Sequence, residues 1–502
     1  MRKQFFIYGL ILFIITALVY YYLKLGFLLL IVLPIILIIG FYNTVQKKHA
    51  ILRNFPVLGY ARYLFEMIAP EIQQYFIERS TDGKPFSRNQ RSLVYQRAKN
   101  IDANTPFGTQ LDLNQSSYEG IKHSIFPATV NEELPRVWIG GPHCKQKYSA
   151  SLLNISAMSF GSLSENAVKA LNIGAHKGQF YHNTGEGGLT DFHLQGGDVT
   201  WQIGTGYFGC RTPDGNFDPE KFKEKANLPN VKMIEIKLSQ GAKPGHGGVL
   251  PAAKNTEQIA KIRGVDPNIT IFSPPSHNAF KDAKGLISFI AELRTLSNGK
   301  PIGFKMCIGD SKEFEDVCHE MILADCYPDF ITIDGAEGGT GAAPLEFSDG
   351  VGMPFEPALI FANKTLINLN IREKIRIIGS GKIISGYSIL HAVALGADLC
   401  NSARGFMFSL GCIQALRCHT NQCPTGVATQ DKMLMKGLVV GDKSDRVYHF
   451  HKNTLHSANE LLAATGKTTF DDVDINIFMR GDEFNHLSDL YFPDNLSKHT
   501  SL

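Results

Sequence analysis

Two long uncharged runs open the chain, FFIYGLILFIITALVYYY from Phe5 to Tyr22 and LGFLLLIVLPIILIIGFY from Leu25 to Tyr42. Each approaches the roughly 20 apolar residues that a helix needs to cross a bilayer. Lys24 and Gly26 mark a tight turn between them, Arg2 and Lys3 precede the first, and Lys47 and Lys48 follow the second. Lysine and arginine gather on the cytoplasmic side of membrane proteins. Residues 1–48 are therefore expected to form a transmembrane hairpin in the cell membrane, with both ends and the remaining chain in the cytoplasm. No small-residue cleavage pattern follows the first run and a second span comes at once, which argues against a cleaved signal peptide. Residues 49–149 turn charged, aromatic and irregular. HAILRNFPVLGYARYLFEMIAPEIQQYFIE reads as two short amphipathic helices interrupted by Pro56 and Pro70, and RNQRSLVYQRAKN as a third. They make a mainly helical connecting or cap region.

From residue 150 the pattern becomes regular. Short apolar runs alternate with helical segments: SLLNISAM, QFYHNTG, MIEIKLSQ, ITIFSPP, PIGFKMC, DFITIDG, IRIIGSG and ADLCNSAR. Most are followed by an amphipathic stretch such as SENAVKALNIGAHK or SGYSILHAVALG. Eight strands each paired with a helix predict an α/β fold, a (β/α)8 TIM barrel, over residues 150–430. A doubly wound open sheet is the rival; polar and glycine residues at so many strand ends favour the closed barrel. The stretch from Glu186 to Val231 is too long for an ordinary connection and is expected to be an insertion over the active face. Residues 431–502 read as a helical tail packed on the barrel.

At 502 residues and a net charge of +3 the chain is nearly balanced, with its basic residues dispersed, so no nucleic-acid partner is indicated. Of 9 cysteines, six are scattered singly, several in apolar runs such as GFKMCIG and ADLCNSA, where they read as small buried hydrophobes. The other three, Cys412, Cys418 and Cys423, share the run GCIQALRCHTNQCPTGVATQ. Three thiolates in one turn-rich segment suit an iron–sulfur cluster with one corner missing, or zinc with an open position.

In a barrel, chemistry belongs at the C-terminal strand ends. The seventh candidate ends in Gly379-Ser380-Gly381 and the eighth in Ser402-Ala403-Arg404-Gly405. Glycine amides on the last two loops, backed by an arginine, make a phosphate cradle. DGAEGGTGAAP, from Asp334 to Pro344, lets backbone approach a flat ligand. Lys305, within the apolar GFKMC, must face a polar cavity or a counter-charge, and suits negative charge on a reduced flavin ring. In IKLSQGAKPGHGG, Lys237, Gln240 and Lys243 recur every third residue, and with Arg263 they point to an anionic substrate such as a dicarboxylate. GTGYFG, from Gly204 to Gly209, matches a dinucleotide fingerprint in spacing, but CRTPDGNFDP cannot open the helix that motif requires.

Together AMSFGSLSENA, NTGEGG, IKLSQGAKPGHGG, SPPSHN, DGAEGGTGAAP and the three-cysteine run resemble the FMN and iron–sulfur synthase domain of the glutamate synthases, over about residues 150–430. With RNFPVLGYARYLFE upstream, the chain resembles the stand-alone, membrane-anchored FMN-binding glutamate synthase family proteins. The resemblance implies FMN near Ala157, Met158, Ser159, Lys305, Gly338, Gly339 and the phosphate loops, and a 3Fe-4S cluster on Cys412, Cys418 and Cys423. It implies a 2-oxoglutarate site at Lys237, Gln240, Lys243 and Arg263, and catalytic positions at Lys305 and Glu337, the latter where aspartate is more usual. The implied reaction reduces 2-iminoglutarate, formed from 2-oxoglutarate and ammonia, to L-glutamate, with electrons passing from cluster to FMN.

Three departures from the family bear on this. Residue 2 is arginine where the family's glutaminase has a processed cysteine, so ammonia is expected from solution or a glutaminase partner. Dinucleotide motifs of a reductase are missing, so electrons are expected from ferredoxin or a separate reductase subunit. His246 and Val249 replace the usual glutamate and glutamine beside the substrate. A related 2-oxo acid, an N-alkylglutamate product, or a membrane electron-transfer subunit without its own turnover are the alternatives.

Overall fold

Eight parallel strands, each hydrogen-bonded to the next in sequence and the last to the first, close into a barrel in the computed structural model, which describes residues 2–480 other than 103 and 105. The last residues of the expected tail, 481–502, lie outside the described residues. The chain divides after Pro85 into two units.

In the first unit, α1 (Arg2–Leu23) and α2 (Phe27–Val45) form an antiparallel pair. Lys24 and Gly26 both adopt left-handed conformations in the turn. The helices pack through small residues: Gly9 faces Leu37 and Gly40 faces the Phe5 ring, so that a side chain at either glycine would collide. Both helices are long and apolar enough to cross a membrane. After a short helical turn at Ala50–Asn54, helix α3 (Gly59–Ile72) continues into a wider turn over Gln73–Ile77.

The second unit begins with α4 (Arg88–Ala98), whose N-cap Ser87 accepts from the Gln90 N–H while the Gln90 side chain accepts from the Ser87 N–H. The barrel strands follow: β1 (Leu153–Ile155), β2 (His182–Asn183), β3 (Val199–Ile203), β4 (Val231–Lys237), β5 (Ile302–Met306), β6 (Phe330–Asp334), β7 (Arg376–Ser380) and β8 (Leu399–Ser402). Their residues are almost all buried, because helices cover the outer face and side chains fill the inner one. The helices needed below are α5 (Glu165–Gly178), α6 (Phe355–Asn368), α7 (Arg404–Ser409) and the long α8 (Val440–Ala464). Helix α8 lies along α5, where Gly174 lets Val447 approach too closely for any larger residue.

The count of eight agrees with the sequence pattern, but one strand differs. ITIFSPP contributes only Ile271–Phe272, paired antiparallel with Val249–Leu250 outside the barrel and with Phe272 exposed. The missing strand is β3, inside the stretch expected to be an insertion. Its polar residues concealed it: Thr200 and Gln202 are buried with Val199, Trp201 and Ile203. Gln202 donates to Glu235 at 2.6 Å. GTGYFG sits in the loop after β3 and no helix follows it directly, as expected.

Glu235 is the polar centre of the barrel interior. It accepts from Asn183 Nδ2 (2.8 Å), Gln202 Nε2 (2.6 Å) and Thr332 Oγ1 (2.6 Å), tying β2, β3, β4 and β6. Glu235→Ala should cost about 3 kcal/mol, at about 1 kcal/mol for each buried donor left without its acceptor. Thermal unfolding followed by circular dichroism reads this as a lowered midpoint; an unchanged midpoint contradicts it.

Candidate active site

The C-terminal ends of the strands gather the chemistry. Lys305 on β5 points inward, its Nζ 3.0 Å from Asp334 Oδ2 at the end of β6. Desolvation works hardest against the charged lysine, but Asp334 and then Glu235 outweigh it and hold the ammonium above its usual pKa. Asp334 also accepts from Ser380 Oγ and from the Gly241 N–H, both at 3.0 Å.

These residues form one wall of a cleft. Ala157 lines it from the β1 loop, Gly338 and Gly339 from the β6 loop, Ser380 and Gly381 from the β7 loop, and Ala403 and Arg404 from the β8 loop. Gly379 lies behind, within β7 and against Phe355; Met158 is buried with its backbone against Gly185, and Ser159 Oγ accepts from the Gly187 N–H at 3.1 Å. Arg404 donates to the Glu337 carbonyl at 2.8 Å. A Cβ on Gly339 would stand 2.8 Å from Arg404 Cδ, so the arginine lies where only glycine backbone leaves room. Small residues on facing loops, a guanidinium at one end and a buried ammonium further in fit a flat group with a phosphate, which is what FMN presents. Glu337 is committed otherwise: its Oε2 accepts the Phe355 N–H at 3.0 Å, at the start of α6.

Beside the cleft a second cluster assembles around Glu186, a residue sequence reasoning left without a role. Lys237 Nζ donates to Glu186 Oε1 at 2.6 Å and to Gln240 Oε1 at 2.7 Å. Burial would raise the Glu186 pKa, but Lys237, Arg263 and Lys243 together hold it below the usual carboxylate value. Lys243 is buried and brought down to about 8, by desolvation and by neighbouring Lys237. Arg263 donates to the Phe160 carbonyl at 3.1 Å and lies 4.9 Å over the Phe208 ring. The four residues expected at an anion site thus converge, with three cations facing one internal carboxylate.

The three cysteines lie within electrostatic reach of one another. None is in a disulfide; burial raises the Cys412 thiol pKa to about 12 with smaller contributions from Cys418 and Cys423, and burial and then Cys423 raise that of Cys418. Cys423 is opposed by burial too, yet the Thr425 hydroxyl and the amides of Ala428, Thr425 and Val427 bring it below the usual thiol value. The Gln414 N–H lies 3.5 Å from Cys412 Sγ. Lys254 is buried next to Cys418 and Cys423, with its Nζ on the Ser162 carbonyl at 2.7 Å. Among the described residues no group of three His, Cys, Asp or Glu is placed to hold a metal ion. A single zinc, with Zn–S of about 2.3 Å, needs its thiolates within about 4 Å of one another; a multi-iron cluster spreads them wider. Amides and a hydroxyl aimed at sulfur, with a lysine alongside, suit an anionic thiolate cluster.

Asp334, Glu186, Glu235 and Phe86 escaped the sequence reading. Asp334 and Glu186 stood in quoted motifs, and an acid among glycines at a strand end was the available signal. Nothing local marks Phe86, which lines the cleft from outside the barrel.

This closed parallel barrel with cations at its mouth has clear relatives. The family described as "Conserved region in glutamate synthase" matches residues 112–468. The chain is 38% identical over 480 residues to the glutamate synthase large subunit-like protein YerD of Bacillus subtilis (strain 168), across 87% of this chain and 91% of that protein. It is 33% identical over 313 residues to the archaeal NADPH glutamate synthase of Archaeoglobus fulgidus, across 62% and 58%. Over 324 residues it is 32% identical to the large chain of the Bacillus subtilis NADPH glutamate synthase, across 63% of this chain but 20% of that one. These relatives define an oxidoreductase of the glutamate synthase type. The chain belongs to the glutamate synthase family.

Because the Glu186 pKa is depressed on folding, its ion pairs contribute stability above the unfolded carboxylate pKa of about 4.3 and lose it as pH falls further. Lys237→Met should therefore lower stability at pH 7 by about 2 kcal/mol, less than the ~3–5 for an isolated buried pair, since Arg263 and Lys243 still face Glu186. The deficit relative to the parent should shrink below about pH 4. Thermal midpoints measured across that range check it; a pH-independent deficit would contradict the pairing.

Proposed function

We propose that this chain reduces 2-iminoglutarate, formed from 2-oxoglutarate and ammonia, to L-glutamate, using FMN in the barrel cleft and a 3Fe-4S cluster on Cys412, Cys418 and Cys423. The observation that carries it is the convergence of Lys237, Gln240, Lys243 and Arg263 beside the cleft that holds Lys305. When bound, FMN supplies the hydride and the cluster supplies electrons one at a time. Lys237, Lys243 and Arg263 hold the two substrate carboxylates, and Glu186 gives up part of its hold on Lys237 to them. Gln240, tethered to Lys237 and to Thr340 Oγ1 at 3.2 Å, orients the substrate. Lys305, kept cationic by Asp334, stabilises negative charge at the inner edge of the cleft. Ferredoxin or a separate reductase subunit delivers electrons, and ammonia comes from solution or a glutaminase partner.

Adding 2-oxoglutarate and ammonium to the reduced protein should reoxidise the flavin and yield glutamate, while either alone does not. Arg263→Met should lower kcat/KM for 2-oxoglutarate by about 100-fold, the worth of a charge-assisted hydrogen bond or two. A reduced flavin indifferent to the pair of substrates ends this proposal.

The hairpin α1–α2 is assigned to the membrane, with the barrel on the cytoplasmic side. At 1.5 Å per residue its 22 and 19 residues span about 33 and 29 Å. Helix α3 supports it: Phe65 and Ile72, with Phe76 just beyond, are exposed at helical spacing on one face, as an interfacial helix requires. Alkaline carbonate should leave the full-length chain in the membrane pellet; release into the supernatant rules the anchor out.

A further inference from the structure

Helix α4 and the residues before it lie outside the matched family region, 112–468, yet they reach both halves of the site. Phe86 is buried and lines the cleft. Its ring lies 4.8 Å beneath the Arg404 guanidinium and meets Phe408 of α7 edge-on at 5.3 Å. One side chain grips its backbone from both sides. Gln414 Oε1 accepts the Phe86 N–H, and Gln414 Nε2 donates to the Phe86 carbonyl, each at 3.2 Å. The backbone N–H of that same Gln414 lies 3.5 Å from Cys412 Sγ. Two further bonds hold the adjacent carbonyls: Tyr95 Oη donates to Cys412 O at 2.7 Å and Arg91 Nη1 to Ile413 O at 3.4 Å.

Gln414 has φ +59°, in the left-handed region that a residue with a side chain enters at a cost. Such a conformation persists when its surroundings over-determine it, and here the double amide grip supplies the determination. It also fixes where the Gln414 N–H points. Cys412 Sγ therefore keeps its amide donor only while Phe86 stays in place.

Resting on the assignment of the cleft to FMN and of the cysteines to the cluster, we infer that residues 86–98 are a brace that ties the cysteine loop to the cleft. Gln414 is its positioning residue, setting the Cys412 ligand, and Phe86 is a wall shared by the cleft and the cysteine loop. A hydrogen bond to a ligating sulfur raises the potential of an iron–sulfur centre, because it stabilises the more negative reduced form. The brace thus favours the reduced cluster and holds the cysteine loop in fixed register with the cleft.

Gln414→Leu and Tyr95→Phe in the full-length chain test this. Iron and FMN per chain are measured first, then the cluster potential by redox titration followed by electron paramagnetic resonance. Gln414→Leu should keep FMN and lower the potential by about 59 mV, a tenfold change for one electron. Tyr95→Phe, which removes one hydroxyl, should move it the same way by less. A second readout needs no cofactor. In the chain stripped of iron and flavin, maleimide should label Cys412 at least tenfold faster in Gln414→Leu than in the parent, with labelling of Cys210 and Cys400 unchanged. Unchanged potential and unchanged labelling in both variants overturn the brace while FMN and iron remain bound. If the parent binds neither, the cofactor assignment fails and labelling alone decides the brace. Should Gln414→Leu not fold, Tyr95→Phe decides by the same two measurements.

Discussion

Burial strips the proton from a lysine unless an anion stands beside it, and Lys305 lies inside a closed sheet with little water to lean on. Asp334 at 3.0 Å answers that need, and Glu235, one layer deeper, adds to it. Both acids must then be satisfied in turn. Asp334 takes hydrogen bonds from Ser380 and Gly241, and Glu235 from Asn183, Gln202 and Thr332. A single cation thereby dictates polar residues on five other strands or strand ends. The same logic repeats nearby, where Glu186 offsets Lys237, Lys243 and Arg263. The mouth of the barrel is thus a set of buried charges, each stabilised by partners of opposite sign.

This constraint also decides what the sequence could reveal. The barrel was legible because parallel strands covered on both faces read as apolar runs, and seven of the eight did. The exception, β3, carries Thr200 and Gln202 because its inner face serves Glu235; the demand that makes it essential erased its hydrophobic signature. ITIFSPP was the converse error. Its apolar residues form a two-residue edge pairing outside the barrel, where Phe272 is exposed.

Around the cleft, the residues that stood out in the sequence have unusual chemistry in an apolar or glycine-rich setting: Lys305, the Lys237–Gln240–Lys243 series and the three cysteines. Their counter-charges were missed, since Glu186 and Asp334 look ordinary until the fold brings the cations to them. Phe86 stood further out of reach. Its partner Gln414 is 328 positions away, and a buried phenylalanine carries no local mark of a cleft wall.

Glu337 shows how an acid in a glycine-rich loop can serve by shape. Its carboxylate holds the Phe355 N–H and so fixes the first turn of α6. The Phe355 side chain then packs against three glycines: Gly335 after β6, and Gly379 and Gly381 at the end of β7, where a Cβ would stand 3.0 and 2.5 Å from the ring. With Phe355 fixed, no side chain fits at those positions, and of the three Gly381 lines the cleft with bare backbone. The opposite wall is closed in the same manner by Arg404, which leans over Gly339 while donating to the Glu337 carbonyl. One residue therefore pins both sides of the cradle, through its carboxylate to one loop and its peptide oxygen to the other. Shape and charge are set by separate residues three positions apart, Glu337 in the loop after β6 for the first and Asp334 at the end of that strand for the second.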